Sequence, residues 1–179
     1  HNYKYKNLQN DVFFAMSHGV HRGVLKKGKF DEREIFLNKL VNKLPNIKFD
    51  FYGVNNKQPI WADDFIANIS NSKIALNLSQ GSSLKYYTSD RLSQLMGNGL
   101  LVMIDKKTKF GDFFNKDEII LYRDLNDLSK KINFYINNDH IRRKIAKKGR
   151  EKYFKYFNSK EIADFIINKT FSKNKKYYW

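Results

Sequence analysis

The sequence predicts an α/β domain: a mostly parallel sheet of about five strands, flanking helices and a helical C-terminus. Short runs rich in β-formers alternate with longer segments of helical period, which is the pattern of strands joined through helices. Several of those runs are apolar on consecutive positions, as expected for strands covered on both faces. After the last run only helical periodicity remains.

The strand candidates are Asp11 to Ser17 (DVFFAMS), Ile47 to Gly53 (IKFDFYG), Lys73 to Ser79 (KIALNLS), Leu100 to Asp105 (LLVMID) and Ile119 to Arg123 (IILYR). Between the first two, Asp31 to Leu44 places Ile35, Phe36, Leu40, Val41 and Leu44 at helical spacing. Asp31, Glu32 and Glu34 suit its positive end, and Pro45 stops it. Shorter helices are expected over Trp61 to Asn71 and Ser89 to Met96, the second closed by Gly97 and Gly99. Leu125 to Ile136 shows one apolar face, and Asp139 to Phe154 follows a break at Asn137 and Asn138. In that helix Ile141, Ile145 and Gly149 form one stripe, and Arg142, Arg143, Lys144, Lys147, Lys148 and Arg150 read as a solvated outer face. Glu161 to Phe171 is the last helix, ahead of a basic, aromatic tail.

A chain of 179 residues with 41% hydrophobic and 16% aromatic content suits one folded domain, 1–179. Without cysteine it has no disulfide framework, thiol nucleophile or thiolate zinc site, and a cytoplasmic location is the default expectation. No apolar run approaches the ~20 residues that span a bilayer, and the first ten residues lack the apolar core of a signal peptide. The chain begins with His1 and reaches its first strand almost at once, so a segment of a longer protein is expected. Lys and Arg (34) outnumber Asp and Glu (18), giving +16. Two origins stay open: an AT-rich coding sequence, or attraction to phosphates, nucleic acid or anionic lipid.

In an open parallel sheet ligands bind at the carboxyl ends of the strands. After the first strand comes Ser17-His18-Gly19-Val20-His21-Arg22-Gly23, where glycines permit close backbone approach and Arg22 suits a diphosphate. The dinucleotide G-x-G-x-x-G spacing is absent. Gly53 ends the second strand, and the third runs into Ser79-Gln80-Gly81-Ser82-Ser83. The next helix opens around Thr88-Ser89-Asp90-Arg91, a place for a phosphate or for simple capping by Thr88 or Ser89. His18 and His21 lack carboxylates at metal-ligand spacing, so no metal is expected. Asp63 and Asp64 read as helix-start residues. A basic nucleic-acid-binding α/β domain, using the Arg142 to Arg150 helix and the tail, is the alternative function.

From Lys73 to Tyr153 the ordered set KIALNLS, SDRLSQLMGNG, LLVMID, FGDFFNKDEIILYRDLNDLSKKI and IRRKIAKKGREKY resembles the group 1 glycosyltransferases of the GT-B fold, in the spore-protein-like branch. The resemblance implies the Rossmann-like C-terminal, donor-binding half of a metal-independent, hexosyltransferase-like enzyme. That enzyme passes sugar from a nucleotide diphosphate to a hydroxyl acceptor, with no cofactor beyond its substrate. The resemblance implies that the N-terminal acceptor domain lies outside this fragment, which is then expected to bind without catalysing, and no catalytic residue is assigned. Bacterial surface glycan or glycolipid synthesis, at the inner face of the membrane, is the implied setting. Carried onto this sequence, Arg91 matches the family arginine and Gln94 stands where the glutamate usually sits. The expected donor-binding set is His18, Gly19, Arg22, Gly23, Gly53, Ser79, Ser82, Ser83, Ser89, Asp90, Arg91 and Gln94.

Overall fold

Val12, Phe14 and Met16 pack into one apolar cluster while Phe13 and Ala15 pack into another, so the first strand has two buried faces. This is seen in a computed structural model that describes residues 8–17 and 31–178. Five strands, β1 (Asn10–Ala15), β2 (Phe49–Tyr52), β3 (Ser72–Asn77), β4 (Leu101–Asp105) and β5 (Ile120–Tyr122), form one sheet in the order β2-β1-β3-β4-β5. Every pairing is parallel, with Val12 opposite Phe49 on one side and Ile74 on the other.

The connecting helices are α1 (Glu32–Lys43), α2 (Ala62–Ser70), α3 (Arg91–Gly97) and α4 (Leu125–Asn137), followed by α5 (Asp139–Tyr156) and α6 (Ser159–Thr170). Leu37 and Leu40 of α1 join Leu128 and Ile132 of α4 on one face of the sheet. Ile69 of α2 joins Leu92, Leu95 and Met96 of α3 on the other. The starts are locally encoded. The Asp31 carboxylate accepts from Arg33 N at 2.8 Å, Asp124 caps α4 through Asp127 N, and Asn158 caps α6 through Glu161 N.

The expected elements are all present, and the two 3-10 turns at Lys106–Thr108 and Phe110–Asp112 add local structure after β4. One expectation is corrected. The buried stripe of α5 is Arg142, Ile145, Ala146 and Gly149, whereas Ile141 is exposed. Gly149 sets this rotation, because a Cβ there would lie 2.1 Å from the Glu118 carbonyl oxygen, and only a glycine lets α5 come so close. Arg142, 1% exposed, donates to the Lys73 carbonyl at 3.0 Å and pairs with Asp139. The cations expected to face solvent are in part structural: Lys148 pairs with Asp117, and Arg150 donates to the Gly97 carbonyl at 2.9 Å.

Candidate donor-binding site

The strand order reverses direction at β1, whose neighbours β2 and β3 lead to opposite sides of the sheet. The connections from these strands diverge there and leave a crevice at their carboxyl ends. A cleft of about 720 Å³ occupies that position. Its floor is Ala15, Met16, Leu78 and Ser79, and its walls come from the starts of α1, α2 and α3.

Arg91, the first residue of α3, crosses this floor. Its guanidinium donates to the Leu78 carbonyl at 3.1 Å and lies 4.9 Å from the centroid of the Phe14 ring. Burial, reinforced by the positive charge of Arg33, lowers its pKa to about 10, although the neighbouring Asp90 and Tyr87 act the other way. The side chain stays cationic at neutral pH, yet among the described residues no carboxylate forms an ion pair with it. A partly buried cation beside a second cation is a costly arrangement that an anion relieves.

Arg33 reaches the same cleft from α1, held by Asp31 through Nε to Oδ1 at 2.9 Å and NH2 to Oδ2 at 2.7 Å. This fork-to-fork pair fixes the guanidinium plane. Arg33, Leu78 and Ser79 also border a second cavity of about 400 Å³ over the ends of β3, β4 and β5, where Ser83 donates to Asp105 at 3.2 Å. The two cavities share this border, so the carboxyl edge carries adjoining hollows beside Arg33.

Of the residues expected from sequence, Ser79, Ser89, Asp90, Arg91 and Gln94 line the larger cleft, and Ser79 and Ser83 the smaller. Gly53 and Ser82 line neither. Gly53 instead has φ +70°, with its position for a Cβ only 1.9 Å from the Met16 carbonyl oxygen beneath the cleft. His18, Gly19, Arg22 and Gly23, with His21, lie outside the described residues. The Thr88 hydroxyl accepts from Asn77 Nδ2 at 2.7 Å, and Asp90, the residue before α3, makes no side-chain cap.

Sequence reasoning missed Arg33, which sits in the Asp31-Glu32-Arg33 start of α1 and was overshadowed there by the acidic residues. It also missed Trp61 and Tyr87, exposed aromatic residues at the cleft that carry no motif.

A family model described as glycosyl transferase-like matches residues 32–168. Among solved structures, a mutant form of S. aureus TarM in complex with fondaparinux, alpha-GlcNAc-glycerol and UDP aligns with a TM-score of 0.66 at 16% identity, over 94% of this chain and 37% of TarM. Sucrose-phosphate synthase from Thermosynechococcus elongatus aligns at 0.53 and 18% identity, over 77% of this chain and 34% of that enzyme. The C-terminal domain of a group 1 family glycosyl transferase (LpcC) from Francisella tularensis aligns at 0.50 and 17% identity, over 72% and 66% of the two chains. No curated protein matches by sequence. This chain thus spans about a third of the length of TarM and of the synthase, and the likeness is one of fold. With the family model matched along most of its length and its sheet shared with these GT-B proteins, the chain belongs to the glycosyl transferase-like family.

Proposed function

We propose that the cleft binds a nucleotide-diphosphate sugar and that this chain is the donor-holding half of a glycosyltransferase, with a hydroxyl acceptor presented by a further domain. The observation that carries the reading is Arg91, a cation on the cleft floor at the switch point, flanked by Arg33 and without a carboxylate ion pair among the described residues. In transfer, the bond from the sugar's anomeric carbon to the diphosphate oxygen breaks, and that oxygen keeps the electron pair. The acceptor oxygen bonds the same carbon and gives up its proton to a base. Preorganised guanidiniums favour the charge that develops on the departing diphosphate, and they supply counter-charge without a divalent metal. Gln94 on the same helix offers a neutral acceptor and two donors to sugar or ribose hydroxyls.

A thermal-shift and calorimetric screen of UDP, GDP, CMP and their sugars tests this. A ligand at about 100 times its Kd adds ~2.7 kcal/mol, which raises Tm by roughly 5–10 °C in a chain of this size. Arg91→Ala is expected to weaken the bound nucleoside diphosphate by about 10- to 100-fold, the loss of a charged hydrogen bond in a desolvated site. No shift with any nucleotide, or unchanged affinity in Arg91→Ala, overturns the reading.

No helix among the described residues is long and apolar enough to cross a membrane. The same reading places the enzyme in the cytoplasm, at the inner membrane face, in surface glycan or glycolipid synthesis. It is supported by α6, which exposes Ile162, Ile166 and Ile167 beside Lys160 and Lys169. The chain is expected to sediment with anionic vesicles at low salt and to be released as salt rises. Equal binding to neutral vesicles would remove this part of the proposal.

A further inference from the structure

The wall of the cleft formed by α2 differs from its floor. Ile60, Trp61, Phe65 and Ile66 make it apolar, and Trp61 is 60% exposed. Asp63 stands in the first turn of α2 beside this surface. Three carboxylates line the cleft. Asp31 is held by Arg33, and the charge of Asp90 acts on its chain neighbour Arg91. The Asp63 side chain, on the other wall, has no hydrogen-bond or ion-pair partner among the described residues.

A nucleoside diphosphate has one anionic end and one flat aromatic end. With the diphosphate at Arg91 and Arg33, the base falls to the aromatic wall, where an open indole ring offers a stacking surface. Base identity then turns on what meets a carboxylate. Guanine presents N1–H and the N2 amino group side by side, two donors matched to two carboxylate oxygens. Uracil presents a single N3–H between two carbonyl oxygens that a carboxylate repels. Adenine and cytosine each set their amino group beside a ring-nitrogen acceptor, so one carboxylate oxygen again faces a lone pair.

We infer that Trp61 and Asp63 form a base subsite that selects guanine, so that the donor is a GDP-sugar. The inference rests on the donor reading above and names its nucleotide.

Calorimetric titration of the 179-residue chain with GDP, IDP, UDP, CDP and ADP tests it. GDP is expected to bind about tenfold or more tightly than UDP, CDP or ADP, the discrimination of one bidentate pair. IDP, which lacks the N2 amino group, should fall between. Asp63→Asn keeps the shape of an exposed side chain but replaces one acceptor by a donor, and is expected to cut the GDP preference to about threefold or less. Trp61→Ala should weaken all five ligands together by about tenfold, because every base has a face to stack. A pyrimidine nucleotide binding as well as GDP, or a GDP preference untouched by Asp63→Asn, overturns the guanine assignment and leaves the donor site standing. Failure of all five to bind overturns both.

Discussion

Arg142→Ala is expected to lower folding stability by about 3 kcal/mol, the sum of a lost charged hydrogen bond and the space left by a long buried side chain. The guanidinium is buried between helix α5 and the start of β3, donating to the Lys73 carbonyl and to Asp139. It ties the last third of the chain to the centre of the sheet. Urea unfolding reads this as a lower midpoint at unchanged slope. A loss under about 1 kcal/mol would mean that water replaces the guanidinium at the carbonyl at little cost. The defect should also depend on pH. Burial pushes the Asp139 carboxyl up, but Arg142 and Arg143 more than offset it, so it sits below the usual carboxylate range. A depressed carboxyl adds stability above its unfolded pKa and loses it as pH falls through its folded value. The gap between wild type and Arg142→Ala should therefore narrow in acid.

Gly53→Ala should be comparably damaging. Its backbone has φ +70°, costing an L-residue about 1–2 kcal/mol, and the new Cβ would lie 1.9 Å from the Met16 carbonyl oxygen. Relieving that contact means separating the carboxyl ends of β1 and β2, a further overpacking cost of about 1–3 kcal/mol. Gly81→Ala is the control. Gly81 also has φ +70° but nothing within 4 Å of the added carbon, so it should show the conformational part alone. A Tm drop in Gly53→Ala no larger than in Gly81→Ala would show that the strand ends give way freely.

The sheet was legible because its strands are buried on both faces, so runs such as LLVMID are unbroken apolar stretches whatever packs against them. The start of α1 was legible where the Asp31 carboxylate caps it locally, whereas the Asn158 cap of α6 was passed over and that helix was expected only from Glu161. The face of α5 was not. Ile141 and Ile145 look like a core stripe, but the rotation is set by Gly149 against a distant carbonyl and by an arginine taken inside. Neither contact leaves a periodic trace. Arg91 was found through an ordered family pattern. Arg33 had no such pattern, because its place in the cleft follows from the strand order that brings α1 and α3 together. Gly53 was placed in the donor-binding set, while its visible role is close contact between two strand ends.

The outermost strands have a consequence for behaviour in concentrated solution. β2 has four residues and β5 three, the shortest in the sheet, and among the described residues they are its two margins. Unpaired backbone groups along a sheet margin are a template for pairing with another chain, and very short margin strands blunt it. Here the long apolar strands β1, β3 and β4 are enclosed between two stubs, leaving little margin on which another chain can add a strand.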